Sequence, residues 1–259
     1  MQPGQMPAYV HTIFEFLGIT LGFRLYLRLK GHESCANGES EQPAFDRIAP
    51  LVGAMFGALV GSKIIALANA PQLLSLAKTD PLILISGKGI VGALAGGWIC
   101  VEIAKLICGI KERTGDIFVL PLIVGMAIGR IGCFLSGGFD KTYGIETKLP
   151  WGVDFGDGVA RHPCQVYEIL FLALIALAMT RITVLEKKGD RFRFFMVGYM
   201  TFRFFVDFIK PVPHLYFGLD GEQVVALIIL ALLASWTFQK TELIFQQIRQ
   251  QKSQRDGVL

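Results

Sequence analysis

Along the chain, apolar runs about 20 residues long alternate with short polar stretches, the spacing of helices that cross a hydrocarbon core about 30 Å thick. Seven runs are legible, near 9–29, 48–68, 83–107, 117–137, 164–185, 192–209 and 222–239. The sixth, "FRFFMVGYMTFRFFVDFI", is the shortest and most polar. This pattern predicts an all-α integral membrane protein, one transmembrane domain over residues 1–259, with seven transmembrane helices, an arm at 138–163 between the fourth and fifth, and a tail at 240–259. Small residues four apart let helix backbones approach closely where lipid offers no hydrophobic drive to association. Gly53, Gly57 and Gly61, Gly92 and Gly96, and Gly125 and Gly129 carry that spacing and predict close packing.

Composition agrees. Of 259 residues, 53% are hydrophobic, and the mean hydropathy of +0.51 is too high for a soluble domain of this size. The net charge of +4 is spread over the connections, with no basic tract interleaved with aromatics, so nucleic-acid binding is not expected. Arg28, Lys30, Arg47, Lys111, Arg113, Arg181, Lys187, Lys188, Arg191, Arg193, Lys240, Arg249, Lys252 and Arg255 fall on one side of the expected membrane. Lys78, Lys141, Lys148, Arg161 and Lys210 fall on the other. By the positive-inside rule the N-terminus and the arm face outward and the C-terminus is cytoplasmic. The first residues carry no positive charge and no small-residue cleavage site follows the first apolar run, so no cleavable signal peptide is expected. Five cysteines without a CxxC pair are not a disulfide framework, although Cys133 and Cys164 flank the arm and are one conceivable pair. The four histidines are scattered and no phosphate or dinucleotide fingerprint is present, so neither a metal nor a cofactor is expected.

A charge within the membrane costs about 2.5–3.5 kcal/mol on insertion scales, so each needs an exit to water or a partner. Arg24, Lys63 and Lys105 lie near cytoplasmic segment ends and read as snorkelling anchors. Arg130 follows "VGMAIG" with no such exit. Tyr199, Arg203 and Asp207 recur every four residues and share a helix face, with Lys210 close to the stripe. That stripe reads either as an intrahelical pair or as the wall of a polar cavity. His11, Glu15, Gly18 and Gly22 share a face of the first segment, where Glu15 is a candidate partner for a buried arginine. Lys88 either snorkels outward or presents an ammonium to an anion. Tyr143 and Trp151 read as interfacial anchors. Two arginines, a lysine and glycine-exposed amides suit a phosphate, and in a membrane the phosphate at hand is a phospholipid head group.

The stretches "GRIGCFLSGG", "LPWGVDF" and "RHPCQVYE", followed by "GYMTFRFFVDFIK", resemble the prolipoprotein diacylglyceryl transferase family over nearly the whole chain. The resemblance implies an enzyme of the bacterial inner membrane, in lipoprotein biosynthesis, with two partners: phosphatidylglycerol and the lipobox segment of a preprolipoprotein. It would transfer the diacylglyceryl group to the lipobox thiol and release glycerol 1-phosphate. On that resemblance Arg130 matches the signature arginine, His162, Gln165 and Glu168 match the HPxQxYE element, Tyr199 and Arg203 match the late tyrosine and arginine, and Gly144 and "LPWG" match the arm. Arg130, Arg203, His162, Glu168 and Tyr199 are the implied catalytic residues. Arg130, Arg203, Lys88, Cys133, Ser136, Gly144 and Gln165 are the implied substrate contacts.

Departures from the family pattern are local. Its signature asparagines are Cys133 and Ser136 here, its closing glutamate is Gly138, and a histidine expected on the third segment is Gly87. The essential tyrosine near the N-terminus has no direct match, with Tyr26 as a candidate. The chemistry needs a thiolate, which a neighbouring base or positive charge favours, and stabilisation of charge on a departing phosphate. His162 and Glu168 are candidate proton acceptors, with Lys88 a third. Three alternatives stay open: a phospholipid-binding or transport protein, a transferase with another acceptor, and a nucleophilic role for Cys133 in place of simple packing.

Overall fold

The computed structural model describes residues 6–37, 44–73, 87, 89–182, 185 and 187–256. Seven long helices occur among them: α1 (Ala8–Asn37), α2 (Ala44–Asn69), α3 (Ile90–Ile107), α4 (Asp116–Leu135), α5 (Cys164–Arg181), α6 (Asp190–Val206) and α7 (Gly221–Asp256). Six are long and apolar enough to cross a membrane, with spans at Tyr9–His32, Ile48–Asn69, Ile90–Ile107, Asp116–Leu135, Cys164–Arg181 and Gly221–Thr241. The other, α6, has 17 residues and includes Asp190, Arg191, Arg193 and Arg203, so it falls short of the length and apolarity of its neighbours. A 3₁₀ turn, Asp207–Ile209, extends it. Helix α7 runs on through the expected tail as far as Asp256.

The core lies between α3, α4, α5, α6 and α7, built from Val91, Ile123, Leu172, Phe195, Tyr199, Met200 and Ile229 among others. Outward-facing Phe16, Ile19, Phe56, Leu59, Leu174 and Leu232 stay exposed. In a bilayer lipid covers such positions, so burying them against protein brings no hydrophobic gain and shape decides the helix contacts.

Glycines supply that shape. A Cβ on Gly57 would lie 2.2 Å from the Gly96 carbonyl oxygen, and one on Gly61 would lie 2.1 Å from that of Gly92, so α2 and α3 meet backbone to backbone. Helix α1 packs on α4 the same way, with Gly18 against the Gly125 carbonyl. Gly129 departs from the expected packing role, because a Cβ there would meet nothing within 4 Å.

Polar groups join the helix ends. At one end the Asp116 carboxylate accepts the Gly189 and Phe192 amides at 2.7 and 2.9 Å, closing the start of α6. Asp190 there binds Lys240 Nζ at 2.6 Å and Trp236 Nε1 at 2.9 Å. At the other end Asp220 and Gln223 form a reciprocal capping box: the Gln223 amide donates to Asp220 Oδ1 at 2.7 Å and the Asp220 amide to Gln223 Oε1 at 2.9 Å.

The arm sits at this second end. One helical turn, Gly137–Asp140, leads into it, and β1 (Val153–Asp154) pairs antiparallel with β2 (Ala160–Arg161). Asp154 Oδ1 accepts the amides of Gly156, Asp157 and Gly158, which closes the tight turn between the strands. The Ile145 amide donates to Ile209 O at 2.7 Å, tying the arm to the end of α6.

Several expectations about single residues change. Lys105 is buried and pairs with Glu102 at 3.1 Å, because a carboxylate one turn away satisfies it without an exit to water. Lys63 donates to the Gly87 carbonyl at 2.6 Å, at the opposite end of the bundle from Lys105. Tyr143 is packed between Phe155, at 5.1 Å, and the Arg161 guanidinium, at 4.8 Å, and so braces the arm. Cys133 and Cys164 are both free thiols.

Candidate active site

Four helix ends converge near the arm, each bringing a charged side chain into the interior: Arg130 from α4, Glu168 from α5, Arg203 from α6 and Glu222 from α7. Their antiparallel alternation explains the convergence, since α4 and α6 end where α5 and α7 begin. Glu168, only 1% exposed, is the hub. Its Oε2 lies 2.9 Å from Arg130 Nε and 3.5 Å from Arg203 Nη1, and its Oε1 accepts the Tyr199 hydroxyl at 2.7 Å. Tyr199 is wholly buried and fixes the carboxylate rather than facing a substrate space.

Arg203 is enclosed by acids. Its Nη2 lies 2.9 Å from Asp207 Oδ1 and also pairs with Glu222, while Lys210 Nζ reaches Asp207 Oδ1 at 3.1 Å. Three cations, Arg130, Arg203 and Lys210, therefore face three carboxylates, Glu168, Asp207 and Glu222. This neutrality makes the cluster tolerable at depth, because an unmatched buried ion costs several kcal/mol. The two arginines are not equivalent. The Arg203 side chain is 4% exposed and that of Arg130 15%. Arg130 spends its Nε on Glu168 and directs Nη1 towards Cys133 Sγ, at 3.7 Å.

The remaining expected residues divide. Gln165 is buried at the same helix start, donates to Thr142 at 3.1 Å and keeps Oε1 without a hydrogen-bond partner among the described residues. His162 stands apart: its Nδ1 lies 3.1 Å from the Tyr167 hydroxyl, which also takes Trp151 Nε1 at 2.9 Å. Pro163 directs that histidine onto the face of α5 that carries Tyr167, one residue away from Glu168. Ser136 is buried and donates to Pro7 O at 3.4 Å, fastening the start of α1. Gly144 is a close-packing residue, since a Cβ there would lie within 2.8 Å of His162, Ile209 and Cys164. Lys88 lies outside the described residues.

Tyr26 is not at the site. It stacks on Phe118 at 4.8 Å, twelve residues before Arg130 and so about 18 Å away along α4. The N-terminal residue that reaches the site is His11, whose Nδ1 lies 3.6 Å from Cys133 Sγ. Glu15 lies 3.8 Å from His11 Nε2, and the carboxylate on Arg130 is Glu168. Sequence reasoning also missed Glu222, the second residue of α7. The D-x-x-Q capping pattern at 220–223 is the signal that could have marked its helix start.

Beside the cluster, α5 and α6 border an open cavity of about 580 Å³ lined by Tyr167, Phe171, Gly198, Phe202, Phe205 and Val206 among others. Its walls are almost wholly apolar, and it begins where the Trp151–Tyr167–His162 bonds end.

Comparison with known proteins bears on this arrangement. A phosphatidylglycerol–prolipoprotein diacylglyceryl transferase of Bordetella parapertussis is 36% identical over 134 residues, 48% of this chain and 50% of that protein. One of Methylobacillus flagellatus is 35% identical over 135 residues, 48% of this chain and 49% of that protein. One of Dehalococcoides mccartyi is 28% identical over 211 residues, 76% of each. The chain spans about half the length of the first two relatives. The family model for prolipoprotein diacylglyceryl transferase matches residues 1–238, which include every charged residue of the cluster, and the chain belongs to that family.

Proposed function

We propose that this chain transfers the diacylglyceryl group of phosphatidylglycerol to the thiol of a preprolipoprotein lipobox cysteine, releasing glycerol 1-phosphate. It works as a multi-pass protein of the bacterial inner membrane, with α6 as a seventh crossing, the N-terminus and arm outside and the C-terminus cytoplasmic. Family membership supports the reaction, and the basic residues of the connections support the orientation.

One observation carries the reading: Arg130 is the more exposed arginine of the cluster, held at Glu168 through Nε while Nη1 is directed towards Cys133. In the transfer a thiolate attacks the glyceryl carbon, the carbon–oxygen bond breaks, and charge collects on the phosphate oxygen. A guanidinium fixed in advance in a dry site is suited to that charge. Arg203 and Tyr199 act one step back, holding Glu168 and through it Arg130. The apolar cavity between α5 and α6 fits an acyl chain, and the arm with Gln165 lies where a lipobox segment would approach.

A second reading, lipid binding without transfer, is favoured by one feature. Gly87 offers no side chain where the family pattern has a histidine, and its carbonyl is taken by Lys63. Purified protein incubated with labelled phosphatidylglycerol and a lipobox peptide decides between them. Thioether-linked peptide and released glycerol phosphate, both abolished in Arg130→Ala, are expected. Lipid binding without either product overturns the transferase reading in favour of the second.

A further inference from the structure

Cys133, His11 and Glu15 stand in line at the mouth of the cluster. Cys133 Sγ lies 3.6 Å from His11 Nδ1, and His11 Nε2 lies 3.8 Å from Glu15 Oε2. Arg130 Nη1 also approaches the sulfur, at 3.7 Å. The approach of α1 that makes this possible depends on Gly132, where a Cβ would lie 2.6 Å from Phe14 Cβ and 3.4 Å from His11 Cα. The start of α1 is fastened there as well, through Met6 N to Leu135 O at 3.2 Å and Ser136 to Pro7 O. A thiol touching an imidazole that a carboxylate orients, with a guanidinium beside the sulfur, has the parts of an activated nucleophile.

We propose that Cys133 is itself an acceptor, and that its sulfur takes the diacylglyceryl group of phosphatidylglycerol within the same chain. The inference rests on the proposed function, in which Arg130 holds the lipid phosphate. The thiol proton passes to His11 Nδ1, and the Cys133 sulfur forms a bond to the glyceryl carbon. The bond from that carbon to the phosphate oxygen breaks with both electrons on oxygen, and glycerol 1-phosphate leaves. The position of the sulfur, 3.7 Å from the guanidinium that would bind the phosphate, favours the two carbons one bond from a phosphate ester oxygen over the acyl carbonyls, which lie several bonds farther on. Of those two, attack on the diacylglyceryl carbon releases glycerol phosphate, whereas attack on the head-group carbon would release phosphatidic acid. The product is a thioether, so each chain modifies itself once.

The test uses the full chain reconstituted in phosphatidylglycerol vesicles and digested with trypsin, which releases residues 131–141 with Cys133 as their one cysteine. A hydroxylamine-resistant diacylglyceryl adduct on this peptide, matched mole for mole by glycerol phosphate, is expected. Cys133→Asn should abolish it, His11→Asn should slow its formation on the order of 100-fold, and Cys100→Ser should leave it unchanged. Transfer to an added lipobox peptide is measured in the same samples. No adduct with intact peptide transfer overturns the inference and leaves the proposed function standing. Absence of both products overturns both. A hydroxylamine-labile adduct overturns the inference, because it marks attack on an acyl carbonyl.

Discussion

Arg130 Nε and Glu168 Oε2 stand 2.9 Å apart, and the Glu168 carboxylate is shared with Tyr199 and Arg203. One buried acid thus ties α4, α5 and α6 together at the end that carries the candidate chemistry. Removing its charge leaves two guanidinium groups facing one another with fewer partners. Breaking a buried ion pair from one side costs about 3–5 kcal/mol. Glu168→Gln is expected to unfold earlier in detergent by that amount and to lose transfer, as measured by thermal unfolding and by release of labelled glycerol phosphate.

The arginines are predicted to fail in different ways. Arg203→Ala leaves Glu222 buried without its cation and Asp207 with Lys210 alone, so stability falls first, by about 3–5 kcal/mol. Adding Glu222→Gln to that variant should restore part of the loss, a coupling of about 1 kcal/mol or more between touching residues. Arg130→Ala should lose at least as much transfer with a smaller loss of stability, since its side chain is the more exposed. Equal stability losses in the two variants count against separate roles.

Much of the fold was legible because the bilayer imposes it. Apolar runs long enough to span had to be helices, and six of the seven expected segments have that length and apolarity. The stripe Tyr199–Arg203–Asp207 was legible from spacing, and Arg203 and Asp207 do pair. What the sequence did not give was who pairs across helices. Glu15 and Glu168 are both carboxylates on apolar helices, and nothing local to either says that Arg130 meets the second. Tyr26 and His11 lie 15 positions apart on one helix, and only the antiparallel docking of α1 on α4 shows which reaches Cys133. Ser136 and Gly144 were legible as motif residues, but in the structure they fasten the N-terminus and the arm.

Helix packing supplies a prediction with an internal control. A side chain at Gly57 must displace the backbone of α3, with its Cβ 2.2 Å from the Gly96 oxygen, and overpacking of this kind costs about 1–3 kcal/mol. Gly57→Ala should lower the unfolding temperature in detergent. Gly129→Ala meets nothing within 4 Å and replaces a helical glycine, so it should be neutral or stabilise by about 0.5–1 kcal/mol. Equal effects at the two sites contradict the packing described for α2 and α3.

The arm carries an acid-sensitive clasp. Asp157 binds Arg161 through both carboxylate oxygens, at 2.6 and 2.7 Å, and the guanidinium holds the carboxyl below its ordinary value of 3.8. A carboxyl whose folded value is depressed stabilises the folded arm fully above the unfolded value and loses that contribution as pH falls through the lower, folded one. The clasp is therefore expected to be closed at neutral pH and to open only below about 3.8. The pair is exposed and screened by salt, so its opening should loosen β1 and β2 without unfolding the helices. Hydrogen exchange at residues 153–161, corrected for the intrinsic rate, should rise in that acid range while α4 and α5 stay protected. Asp157→Asn should show the faster exchange already at neutral pH and lose the acid step. An acid step that persists in Asp157→Asn would assign the clasp to another group.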